Sequence, residues 1–99
     1  MTLRPGLLPD EEIARRLELL PGWALREGAL YRELRFPTFA EAFGFMASVA
    51  IVAQELDHHP DWTNSYDRVT VRLSSHDVRG ITERDFRLAT RMNLLLERR

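Results

Sequence analysis

Residues 36–60 read Phe36-Pro37-Thr38-Phe39-Ala40-Glu41-Ala42-Phe43-Gly44-Phe45-Met46-Ala47-Ser48-Val49-Ala50-Ile51-Val52-Ala53-Gln54-Glu55-Leu56-Asp57-His58-His59-Pro60. Thr38-Phe39-Ala40-Glu41 has the Ser/Thr-x-x-Glu form of a capping box, and Pro37 ahead of it sets the register in which a helix begins. Phe39, Ala42, Phe43, Met46, Val49, Ala50 and Ala53 follow in steps of three and four, so the spacing predicts a helix with these seven on one side. Phe45, Ile51 and Val52 fall largely outside that stripe. A second apolar face needs a second cover, and in so short a chain a neighbouring subunit is the expected one, which predicts a homo-oligomer. The alternative is that Phe45 and Val52 pack on another helix of the same chain. The apolar run from Phe39 to Ala53, about fifteen residues and interrupted by Glu41, is shorter than the roughly 20 that span a bilayer, so it reads as a buried helix and not as a membrane span.

Upstream, Asp10, Glu11 and Glu12 place negative charge where a helix begins, and Ile13, Leu17 and Leu20 keep helical spacing until Pro21-Gly22. Trp23 to Arg26 and Leu30 to Phe36 read as strands around a Glu27-Gly28-Ala29 turn, with Leu30, Leu34 and Phe36 on one face and Tyr31, Glu33 and Arg35 on the other. Arg32 breaks the alternation, so one of these strands is expected at a sheet edge or bent there. Downstream, Trp62 to Tyr66 and Arg68 to Ser74 form a second strand pair in which Val69, Val71 and Leu73 alternate with Thr70, Arg72 and Ser74. Residues 75–80 are a loop carrying His76. Thr82-Glu83-Arg84-Asp85 resembles a second capping box, opening a helix whose apolar face is Phe86, Ala89, Met92 and Leu96 and whose end, Glu97-Arg98-Arg99, is solvated. No repeat or linker interrupts the chain, so residues 1–99 read as one domain. The order α-β-β-α-β-β-α implies an α+β fold, a two-layer sandwich with a four-stranded antiparallel sheet and three helices on one face. Periodicity leaves open which strands of the two hairpins are neighbours.

Ninety-nine residues, 44% hydrophobic and 29% charged, build a single core but no deep cavity, so an active site belongs in a surface cleft or at a subunit junction. A formal net charge of -1, with the signs mixed along the chain, gives no field that would draw the protein onto nucleic acid or an anionic membrane. Small molecules, or further copies of itself, are the expected partners. The chain has no cysteine, and its first residues lack the apolar core of a secretion signal; both fit the cytoplasm. Every basic residue is arginine, which base composition of the genome explains more simply than function.

All three histidines, His58, His59 and His76, fall within nineteen positions. Imidazole, with an ordinary pKa of about 6.5, is the side chain best suited to give and take protons near neutrality, so the cluster points to an acid and base pair. The competing reading is that adjacent histidines before Pro60 are solvated turn residues. A metal site is weaker still: no His-x-x-x-His pair exists, neighbouring residues point apart, and cysteine is absent.

Asp57-His58-His59-Pro60-x-Trp62-x-Asn64-x-Tyr66-x-x-Val69, then Leu73-x-x-His76, then Gly80-Ile81-Thr82-x-x-Asp85, with Phe43-Gly44-Phe45-Met46 inside the second helix, resembles the pterin-4a-carbinolamine dehydratase family. The resemblance runs from about Phe36 to Leu96. It implies a hydro-lyase that converts 4a-hydroxytetrahydrobiopterin, or a related pterin carbinolamine, to the quinonoid dihydropterin and water, without metal or organic cofactor. It maps His58, His59, His76 and Asp85 onto the active site. His58 and His76 are then expected to do the acid and base work, His59 to hold the pterin, and Asp85 to orient or charge-stabilise a histidine, unless it is only the cap of its helix. Ligand contacts are expected from His59, Pro60, Trp62 and Ser75, with Trp62 read also as a core or rim aromatic and Pro60 and Gly80 as turn-setting residues. The family often carries an acid four positions before the first histidine; here Gln54 stands there, which keeps hydrogen bonding but not charge. A dimer or tetramer is implied, with an aromatic amino acid hydroxylase as pathway neighbour. The rival function is a protein-binding module, since animal members also act as dimerisation cofactors of a transcription factor.

Overall fold

A computed structural model describes residues 6–98. Seven elements follow in the expected order: α1 Asp10–Leu17, β1 Ala24–Arg26, β2 Ala29–Arg35, α2 Phe39–Leu56, β3 Asp61–Ser65, β4 Arg68–Leu73 and α3 Glu83–Glu97. The four strands form one antiparallel sheet in the order β1-β2-β4-β3, so the two hairpins join through their second strands. Leu30 lies opposite Leu73, and Leu34 opposite Val69, which puts every large aliphatic side chain of the two central strands on one face. That face shares a core with Ile13 of α1, with Ala42, Phe45, Val49, Val52 and Ala53 of α2, and with Phe86, Leu88, Ala89 and Met92 of α3. The helices thus cover one side of the sheet, and Glu33 and Arg35 stay wet on the other.

The first hairpin closes on Glu27 and Gly28 alone, at φ 49° and 75°; two left-handed residues give a turn whose twist matches that of the strands. β1 is short and lies at the edge, ending where Ala24 meets Tyr31. Arg32 therefore projects past its end, from the face that carries Leu30 and Leu34, and bonds Pro21 O at 3.1 Å and Asn93 Oδ1 at 2.7 Å. α1 stops at Leu17, earlier than its spacing suggested, although Leu20 still reaches the core.

α2 differs from its reading in phase. Thr38 accepts from the Glu41 N–H at 3.1 Å and starts the helix as expected. The buried side is Ala42, Phe45, Val49, Val52 and Ala53, so Phe45 and Val52 turn inward onto the sheet and α3, while Phe39, Phe43, Ala50 and Ile51 face out. A helix apolar on nearly every side offers several stripes of similar content, and the shape of the partner surface selects among them. The helix also runs 18 residues, longer than its apolar core implied, and by length and composition alone it qualifies as a possible membrane span. Here it is a core helix with one face packed and one open.

Candidate active site

The site forms at the end of the sheet where α2 hands over to β3 and β4 to α3. At the first junction α2 closes on Asp57 in the left-handed conformation, φ 52° and ψ 43°, and the His58 N–H returns to Ala53 O at 3.0 Å. This cap reverses the chain and turns His58 inward, where it is 7% exposed, while His59 stays outside. At the second junction Ser75 and Gly80 bridge in both directions, Ser75 N to Gly80 O at 2.7 Å and Gly80 N to Ser75 O at 3.3 Å. The loop between them carries His76 and Asp77 outward and returns the chain to the head of α3.

There Thr82 and Asp85 complete a capping box. The Thr82 N–H donates to Asp85 Oδ2 at 2.9 Å, and Thr82 is the N-cap. The other carboxylate oxygen, Oδ1, meets His58 Nε2 at hydrogen-bond distance, 2.5 Å. Asp85 is fully buried, and Ser75 Oγ also donates to Oδ2 at 2.8 Å. A charge so placed is tolerable only with its lone pairs filled, and no buried side-chain polar atom among the described residues lacks a partner.

In front of this wall lies an open pocket of about 440 Å³, lined by Asp57, His58, His59, Pro60, Asp61, Ser74, His76, Asp77 and Arg84. The two outer histidines have neighbours of their own. His59 Nε2 reaches Gln54 Oε1 at 3.3 Å, and His76 Nε2 reaches Asp61 Oδ2 at 2.9 Å with its side chain 71% exposed. Gln54 therefore keeps a hydrogen-bonding part beside the second histidine. On the rim Arg84 holds Asp77 at 2.8 and 3.1 Å, and this bond to the guanidinium keeps the Asp77 carboxyl below the usual carboxylate range.

The structure brings together His58, His59, His76 and Pro60 on the pocket and Asp85 directly behind it. Ser75, expected against the ligand, lies behind the wall at 1% exposure with its hydroxyl committed to Asp85 and Thr82. Trp62 sits opposite Val71, partly buried against the core, which is its rim reading. Asp61, Asp77 and Arg84 were not singled out from the sequence; each is a charged residue within three positions of a motif residue, a signal that spacing alone does not separate from ordinary surface charge. Among the described residues no group of three histidine, aspartate or glutamate side chains is arranged to hold a metal ion.

The family model for pterin 4 alpha carbinolamine dehydratase matches residues 6–95. A relative from Burkholderia multivorans, provisionally named pterin-4-alpha-carbinolamine dehydratase, is 57% identical over 84 residues, covering 83% of this chain and 82% of its own. One of the same provisional name from Prochlorococcus marinus is 48% identical over 89 residues, covering 90% and 93%. Among solved structures, a transcriptional coactivator/pterin dehydratase from Brucella melitensis superposes with a TM-score of 0.87 at 42% identity, over 90% of this chain and 97% of that one. A pterin dehydratase-like RuBisCO assembly factor of the alpha-carboxysome shares the fold, with a TM-score of 0.61 at 19% identity over 74% and 84%.

Proposed function

Because this chain belongs to the pterin 4 alpha carbinolamine dehydratase family, a family of hydro-lyases, we propose that it dehydrates a 4a-hydroxytetrahydropterin by histidine acid and base catalysis at the pocket between His58 and His76. The observation that carries this reading is His58 itself: a nearly buried imidazole on the pocket wall, bonded through Nε2 to a fully buried carboxylate. With Nε2 engaged, Nδ1 is the nitrogen that meets the substrate as base. It takes the N5 proton, the N5 electron pair closes the C4a–N5 double bond, and the C4a–O bond breaks. His76, at the mouth and in exchange with solvent, gives the proton that lets the oxygen leave as water. No electron changes hands, so an acid and a base suffice. His59, steadied by Gln54, and Pro60 hold the pterin from the open side.

The test is stopped-flow ultraviolet absorbance of freshly generated 4a-hydroxytetrahydropterin with wild type, His58→Ala and His76→Ala. Wild type is expected to accelerate dehydration, and each variant to lose roughly 10²- to 10⁴-fold of that gain, the usual share of a positioned acid or base. No acceleration over buffer would sink the proposal. The rate is also expected to fall in acid, where a protonated base cannot take the N5 proton. The Arg84–Asp77 pair adds to that fall only at the acid extreme: a depressed carboxyl keeps its ion pair until the pH drops below the usual carboxylate range.

The open face of α2, with Phe39, Phe43 and Ile51, supports a homo-oligomer, dimer or tetramer. An aromatic amino acid hydroxylase is the reaction class that would supply the carbinolamine. The same face favours the second reading, a docking module; intact partner binding by a dehydration-dead His58→Ala protein would establish it.

A further inference from the structure

The wall behind His58 contains two hydroxyls that no step above uses, and their hydrogens have one consistent arrangement. The backbone N–H and the Nε–H of Arg84 can only donate, and they reach Thr82 Oγ1 at 3.2 and 3.3 Å. Thr82 thus accepts from Arg84 and has its own proton to give. The neighbour that receives it is Ser75 Oγ, at 2.7 Å. Ser75 in turn gives its proton to Asp85 Oδ2, at 2.8 Å. Reversing the Ser75 link would set two oxygen lone pairs face to face in a buried place, so the chain runs one way, from Arg84 through Thr82 and Ser75 to Asp85.

That direction has a consequence at the histidine. Oδ2 already receives two donors, Ser75 Oγ and the Thr82 N–H. As a carboxylate Asp85 accepts at both oxygens, so the hydrogen between Oδ1 and His58 is the one that Nε2 carries.

We infer that Ser75 and Thr82 are positioning residues of the dehydration, whose one-way hydroxyl chain holds the Asp85 carboxylate as an acceptor against His58, keeping the ring hydrogen on Nε2 and leaving Nδ1 for the substrate. Neither residue touches substrate. The inference rests on His58 being the base, and it assigns the choice of tautomer to residues 17 and 24 positions away in the chain. Loss of the Ser75 hydroxyl leaves Oδ2 with a vacant site that a water or a reoriented Thr82 must fill, and the carboxylate is then free to turn relative to the imidazole.

The experiment is nitrogen-15 NMR of the His58 ring in the full-length chain, combined with dehydration kinetics, for wild type, Ser75→Ala, Ser75→Cys and Ser75→Thr. Wild type is expected to show one ring tautomer of His58, with hydrogen on Nε2. Ser75→Ala is expected to mix the two tautomers and lower kcat about tenfold or more, with KM little changed, because a misaligned base loses turnover and not ground-state binding. Ser75→Thr restores both, and Ser75→Cys, a weak donor of similar size, falls between and serves if the alanine variant does not fold. A wild-type ring pattern in Ser75→Ala and Ser75→Cys overturns the inference. If wild type fails to dehydrate the pterin while the ring pattern still responds to Ser75, the proposed reaction falls and the hydroxyl chain stands.

Discussion

Asp85 holds two posts, third residue of a helix cap and partner of His58, and it divides them by oxygen: Oδ2 for the cap, Oδ1 for the imidazole. The sequence spacing showed the cap, because Thr82 and Asp85 are neighbours on one turn. The bond to His58 crosses 27 positions and depends on the left-handed turn at Asp57, which no local pattern announces. The same limit explains Ser75: its hydroxyl was legible as a site feature, but whether it faced ligand or wall depended on the Ser75–Gly80 bridge. Gly22 is a further single residue with large leverage. It sits at φ 90°, and an added Cβ would stand 2.3 Å from the Arg32 guanidinium carbon, whereas Gly28, at φ 75°, faces open space. Gly28→Ala is expected to cost about 1 kcal/mol in backbone strain alone. Gly22→Ala must also shift the end of the Arg32 side chain and its bonds to Pro21 and Asn93, adding roughly 0.5–1.5 kcal/mol. Thermal unfolding checks the order, at about 4–8 °C per kcal/mol for a chain of this size; equal drops in Tm would refute it.

At the scale of elements, the strands were the easiest to read and α2 the hardest. Period-two alternation at Val69, Val71 and Leu73 has one solution, since each side chain must lie on one of two faces. The pairing of β2 with β4 had no such signal, because any aliphatic strand can sit beside another until the register is built. α2 has apolar residues on nearly every side, and so its periodicity underdetermines its buried face; the sheet chose Phe45 and Val52 and left Phe43 and Ile51 in the open, 57% and 64% exposed. If that open face closes an assembly, Phe43→Glu should convert the oligomer to monomer without unfolding α2, since the side chain makes no core contact. Light scattering at micromolar concentration with far-ultraviolet circular dichroism decides it. A mass unchanged from wild type would exclude this face as the interface.

Across the whole molecule, a thin two-layer fold builds its candidate site by bringing two connections to one end of the sheet, so that residues from both meet over a single buried carboxylate. The class of fold and the residues of the motif were legible because each is written locally, in spacing and in caps. Depth was not: which histidine goes inside and which stay out is decided only when α2 and α3 dock. The capping box of α3 makes the proposed chemistry depend on the first turn of a helix. Helix ends open more readily than sheets, and here the opening of one turn, from Thr82 to Asp85, would release His58 while the strands remain paired. On that proposal, thermal inactivation is expected to be a local event that precedes melting. Amide exchange at Asp85, whose N–H is bonded to Thr82 O at 3.1 Å, should quicken in step with the loss of turnover, and both should run ahead of exchange in β4. If the proposed reaction holds, the working life of the protein on warming is the lifetime of a single helical turn.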